Sequence, residues 1–206
     1  IGHDPKKAPN KSSDGTVTTG KGATCVACGG FITLASIRAE GTANRLGSQL
    51  LSIVAEGNRR RIYLTPDNEH IQKSNIPRPN NTPTGSVATN PRWFSPPQYG
   101  LSKFSDLFTN RQLTSLVTFS DLIAEAREQV LSDATAAGLP RGERLANGGN
   151  GADAYADAVV TYLAMAVSKL ADWSSSICSW IPQVEGVRNT FSRHAIASTG
   201  EYRGVD

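Results

Sequence analysis

Seven of the eleven prolines fall between residues 66 and 102. Proline lacks the backbone donor that a helix interior or a central strand requires. A chain interrupted in this way cannot run as one sheet or one helical bundle from end to end. The stretch 66–102 is predicted to be an extended linker that wraps a surface and is pinned by Trp93, Phe94 and Tyr99.

The linker divides two unlike regions. Residues 1–22 are polar and rich in turn formers, which predicts a flexible tail. Residues 23–65 alternate short apolar runs with glycine and predict a small α/β element. In it, Phe31 to Leu34 reads as a strand, and Arg45 to Ala55 as a helix with Leu46, Leu50, Ile53 and Val54 on one face. Arg61 to Leu64 reads as a second short strand, ended by Pro66. Residues 103–196 predict a helical core. Leu113, Leu116, Phe119 or Ser120, Ile123, Ala126, Val130 and Ala134 recur at helical spacing between Thr109 and Ala137. Asp121, Glu125, Arg127 and Glu128 lie mostly off that stripe, and Gly138 and Pro140 end it. A second helix, Ala152 to Trp173, is apolar almost all round, which predicts burial on several sides and a dimer or other partner to cover it. Residues 197–206 form a second tail. The expected fold class is α+β, mainly α: a small Cys-containing β element, a proline-rich extended linker and a core of two long helices.

Composition narrows the function. With 21 Lys and Arg against 18 Asp and Glu, the net charge of +3 excludes a histone-like polycation but leaves room for a local basic face. The longest apolar run, Ala158 to Val167, is broken by Thr161 and spans about half of what a bilayer needs, so no membrane association is expected. Three cysteines give an odd count and no disulfide framework, which points to the reducing cytoplasm. The chain starts at Ile1 and its only methionine is Met165, which predicts a segment of a longer or processed protein.

The clearest chemical motif is Cys25-Val26-Ala27-Cys28-Gly29-Gly30. Two thiolates at this spacing on a tight turn can face one metal ion, and the glycines permit close backbone approach. A tetrahedral site needs four ligands and only two are local. Cys178 lies 150 residues away, where a small buried residue is expected, and His3, His70 and His194 have no ligand spacing. Three readings remain: a half-ribbon whose other pair lies elsewhere, two free thiols on a turn, or a redox pair.

Other stretches resemble sites without meeting their requirements. Ser95-Pro96-Pro97-Gln98-Tyr99 resembles an amino-methyltransferase motif, but Gln98 displaces the aromatic that must stack on a flipped base. Gly148 to Gly151 precedes a helix but follows no strand, so a flexible helix start is expected rather than a nucleotide loop. Glu125 with Glu128, and Asp153 with Asp157, read as solvated faces or helix-start charges. Basic residues gather at Arg59-Arg60-Arg61 and at Arg188 with Arg193 and His194, and Arg92-Trp93 pairs charge with an aromatic. Nucleic-acid contact is assigned to Arg92, Trp93, Arg188 and Arg193, residue types suited to phosphates and bases.

Taken in order, the motifs resemble the large adenine-specific DNA methylases that carry a zinc-ribbon insertion and a DUF1156 domain. The matching segments are Ala23 to Gly29, Ile37 to Gly41, Leu50 to Gly57, Arg61 to Leu64, Asn90 to Arg92, Tyr99-Gly100, Asp106 to Thr109, Arg111 to Leu113 and Thr118 to Leu122. The series continues through Ala154 to Ala158, Leu170 to Asp172, Ser176 to Cys178 and Arg188 to Arg193. The resemblance implies a parent that moves a methyl group from S-adenosylmethionine to adenine N6 in DNA on a Rossmann-like core. It implies that this stretch lies between the glycine-rich cofactor motif and the Asp-Pro-Pro-Tyr motif, neither of which occurs here. It further implies that the first cysteine pair of the ribbon lies upstream, so Cys25 and Cys28 would hold zinc as half of a set. S-adenosylmethionine would then be a cofactor of the full-length parent only, and the partners would be DNA and either the remainder of the methylase or a second copy. After Ile196 the family continues toward Pro-Met-Val-Trp-Asp, whereas this chain runs Ala197 to Asp206 without that motif. The alternative is a free-standing interaction module without enzymatic activity.

Overall fold

The computed structural model describes residues 17–18, 22–25, 27–50, 52–90, 94–181, 183–184 and 186–190. The fold is mainly helical α+β. Strands β1 (Val17–Thr18), β2 (Gly22–Thr24) and β3 (Phe31–Thr33) form a three-stranded antiparallel sheet in that order. Helix α1 (Leu34–Thr42) follows directly, started by Thr33, whose hydroxyl accepts from the Ser36 amide at 3.1 Å. β1 falls inside the stretch read as a tail, where its two residues pair with Ala23 and Gly22.

The helix expected over Arg45 to Ala55 is not formed. Residues 45–50 have no regular structure, and β4 (Ile53–Gly57) pairs antiparallel with β5 (Arg60–Leu64) across Asn58 and Arg59. The physical reason is pairing. Ile53 and Val54 are β-branched, and the strand at Arg61 to Leu64 has an adjacent partner only two residues upstream. Arg59 takes the left-handed conformation that closes the turn, with φ of 56°.

The linker is extended but firmly attached, and it includes one short helix, α2 (Asn68–Ser74), capped by Asp67. Asn110 Nδ2 donates to the Ile76 carbonyl at 3.0 Å, and Arg78 Nη2 donates to Ser105 Oγ at 2.6 Å. The Val87 amide donates to the Ser102 carbonyl, and Val87 is buried. A 3-10 turn, Pro96–Tyr99, packs against α1. There a Cβ on Gly41 would strike the Tyr99 carbonyl, and one on Gly100 would strike the Gly41 carbonyl. Both glycines are needed for this backbone crossing. Phe94 and Tyr99 are half-buried as expected of pins, and Trp93 lies outside the described residues.

Two long antiparallel helices, α3 (Asn110–Ala136) and α4 (Ala152–Trp173), agree with the helical periodicity within a residue at each end. Thr109 and Gln112 form a reciprocal cap on α3. The Gln112 amide donates to Thr109 Oγ1, and the Thr109 amide donates to Gln112 Oε1. The core sits where the end of α3 meets the start of α4: Leu131, Ala152 and Ala156, with Val130 and Ala134 packed against them. Pro96, Ser105, Leu107, Leu113 and Ser175 are also fully buried, and the turn that carries Leu107 joins the far end of the hairpin. Ser176 fastens that join, its amide and hydroxyl both donating to the Leu107 carbonyl at 2.8 Å. Beyond α4, β6 (Trp180–Ile181) pairs with β7 (Gly186–Val187).

Burial on several sides of the second helix is not observed. Only its first turns are enclosed, and from residue 161 to 170 only Val167 is partly covered. The two-helix contact covers one face, and no described element lies on the other. No helix among the described residues is long and apolar enough to cross a membrane.

Candidate functional site

The Cys25–Cys28 turn closes between β2 and β3 as a compact loop. The Cys25 amide donates to the Gly30 carbonyl at 2.8 Å, and the Gly29 amide donates back to the Cys25 carbonyl at 2.9 Å. Gly29 takes φ of 72°, which the turn requires. A Cβ on Gly30 would sit 3.3 Å from Cys28 Sγ, so the glycine leaves the sulfur room.

The amides of Cys28 and Ala27 and the Cys28 thiol all donate toward the Cys25 sulfur, in that order of effect, and lower its pKa below the ordinary thiol value. Backbone donors aimed at a sulfur favour thiolate, the form that binds metal or attacks an electrophile. Cys25 is half-buried and Cys28 exposed. The two residues thus fit half of a tetrahedral zinc set, and a full set would need two further ligands. Among the described residues no group of three or more His, Cys, Asp or Glu side chains gathers to hold a metal. Cys178 does not join them. It is buried at the end of α4, with Sγ 3.4 Å from Ser175 Oγ and 3.3 Å from Thr190 Oγ1. The Thr190 amide and hydroxyl both donate to the Asp172 carbonyl, at 2.6 and 2.7 Å, and this knot fastens the segment 186–190 to the helix end.

A second cluster is one the sequence reading missed. Asp153 and Asp157 are not a solvated face; both are buried against α3 and the interhelical loop. Arg141 binds Asp153 through two nitrogens, at 2.7 and 2.9 Å, and the Gly142 amide adds a third donor at 3.2 Å. Arg127 Nε and Arg144 Nε bind the two oxygens of Asp157, at 2.8 and 2.5 Å, joined by the Leu145 amide. Arg127 also lies 3.9 Å from Asp153, so this α3 residue turns inward where the stripe pattern placed it outside. The Arg144 contact, with those of Arg127 and Leu145, holds the Asp157 carboxyl at about 2. The Arg141 pair likewise lowers Asp153. Both carboxylates stay charged and fully engaged at neutral pH, which suits a structural clamp and not proton transfer.

The loop over this clamp is tightly packed, contrary to the flexible helix start expected at Gly148 to Gly151. A Cβ on Gly149 would strike the Glu143 carbonyl, and one on Gly151 would lie 2.5 Å from the Pro140 carbonyl. The Pro140 carbonyl accepts from the Ala152 amide at 2.8 Å and so caps α4 in place of a side chain. The Ser95 to Tyr99 stretch also has a packing role. Pro96 is fully buried, and the Tyr99 ring lies beneath the Arg38 guanidinium, 5.5 Å from its centroid.

The residues assigned to nucleic-acid contact are not brought together on the described surface. Arg188 is half-buried just beyond β7, with its amide donating to the Ser179 carbonyl at 2.7 Å, while Arg92, Trp93 and Arg193 lie outside the described residues. The hairpin of β4 and β5 presents Arg59, Arg60 and Arg61 as exposed neighbours at its tip. No family model, curated protein or solved structure matches the chain.

Proposed function

We propose that this chain is a non-catalytic segment of an S-adenosylmethionine-dependent DNA adenine-N6 methyltransferase. In this reading it supports the catalytic core, supplies half of a zinc ribbon through Cys25 and Cys28, and contacts DNA through Arg92, Trp93, Arg188 and Arg193. The observation that carries the reading is the closed Cys25–Cys28 turn, which sets two cysteines side by side and aims backbone amides at one sulfur, lowering its pKa, beside a second, exposed sulfur. The ordered motif series from Ala23 to Arg193 supports the parent family. The arginine-bound Asp153 and Asp157 support a scaffold role, because the helix carboxylates are committed to holding two helices together.

A free-standing interaction module is the second reading, favoured by the exposed apolar surface of α4. The metal separates the two. Alkylation of the native chain is followed by peptide mass spectrometry, with and without zinc. Zinc is expected to slow modification of both Cys25 and Cys28 by at least tenfold, with Cys178 unreactive in either case. Equal rates with and without zinc at Cys25 and Cys28 would favour the interaction module.

A further inference from the structure

Helix α4 has two apolar faces, and among the described residues only one is covered. Ala156, Val160, Val167 and Ala171 share the side that carries Asp153 and Asp157 into the clamp. The opposite side carries Tyr155, Tyr162, Ala166, Lys169 and Trp173, at the spacing of one helical stripe. Tyr162 is 75% exposed, Met165 61%, Tyr155 55% and Trp173 51%. Between Asp157 and Asp172 the only charged side chain is Lys169, and it lies along its own helix, 5.0 Å from the Trp173 ring centre and 3.4 Å from Asp172. A solvated helix face carries charge along its length, and this one does not.

We infer that this stripe is the interface for a second copy of the chain, packed α4 against α4 in antiparallel register with Tyr162 on the two-fold axis. Area is the first argument. At 150–250 Å² per aromatic, Tyr155, Tyr162 and Trp173 leave roughly 350 Å² in water. Met165, Leu163 and Leu170 bring the patch toward the ~800 Å² that each partner contributes to a standard interface. A two-fold axis doubles a single patch into a closed pair without leaving a new surface exposed.

Register is the second argument. Tyr155, Tyr162 and Lys169 are spaced by seven, the repeat that keeps one seam facing a partner helix. Crossing at Tyr162 in antiparallel sense sets Lys169 of each copy over Tyr155 of the other, a cation against an aromatic face. A parallel pair would set Lys169 against Lys169. This surface does not depend on the methylase reading.

Light scattering and sedimentation of the full chain against concentration test the inference. A mass twice the 21.9 kDa of one chain is expected, with Tyr162→Glu raising the dissociation constant at least ~100-fold while circular dichroism shows unchanged helix content. As a second variant, Tyr162→Cys places two thiols across the axis, and mild oxidation is expected to link the copies through that position by peptide mapping. A monomer at every concentration overturns the inference. So does a dimer that Tyr162→Glu leaves intact, or a link that forms only through the native cysteines.

Discussion

At the scale of the residue, Asp157 shows how a carboxylate can resemble a site and serve as a fastener. Two arginines from different segments and one amide share its two oxygens. Its pKa falls from 3.8 to about 2 in the folded chain. A depressed carboxyl binds its proton less readily in the folded state than in the unfolded one. Its contribution to stability is therefore complete above about pH 4 and is lost as the pH falls through about 2. Thermal melts by circular dichroism are expected to show Tm dropping across that window. Asp157→Asn is expected to lower Tm by several degrees at pH 7 and to flatten the dependence between pH 4 and 2. An unchanged pH profile would assign the acid sensitivity to other groups. Half of this can be read along the chain. Asp153 and Asp157 were legible as helix-start charges four residues apart, and Arg141 and Arg144 stood in the short loop before them. That Arg127 crosses from the other helix to meet them depends on how the helices pack, which spacing along one helix does not contain.

At the scale of the element, periodicity was decisive where elements are long. The first long helix ended where Gly138 and Pro140 said it would, and the second began directly after the glycines before Ala152, because many turns of consistent pattern outweigh any one residue. Short elements went the other way. Leu46, Leu50, Ile53 and Val54 fit a helical face, yet β4 forms because β5 lies two residues beyond and can pair with it. A pattern over ten residues serves either period, and the available partner decides. The α3 cap provides a quantitative check. Thr109→Ala removes the acceptor for the Gln112 amide and is expected to cost about 1 kcal/mol in chemical denaturation. Thr109→Ser is expected to cost only a few tenths of a kcal/mol, since it retains the hydroxyl. Equal losses would mean that methyl packing, not capping, starts this helix.

At the scale of the whole molecule, three fastenings convert a proline-broken chain into one scaffold. The Gly41–Gly100 crossing ties the cysteine element to the linker. The Ser176 contacts to Leu107 tie the linker to the hairpin, and the arginine clamp joins the two long helices. Such a scaffold holds the element that carries the Cys25–Cys28 turn against the linker. The sequence located the turn, because two cysteines flanked by glycines carry their chemistry locally. It did not reveal the amide donors to Cys25, which depend on the closed loop. The most direct test of the proposed role is equilibrium binding of the purified chain to duplex DNA as a function of salt. Three or four phosphate contacts predict an affinity that falls on the order of 100-fold between about 50 and 200 mM salt, with Arg188→Ala reducing the slope by about one. No binding at low salt, or binding insensitive to salt, would contradict a DNA-contacting segment.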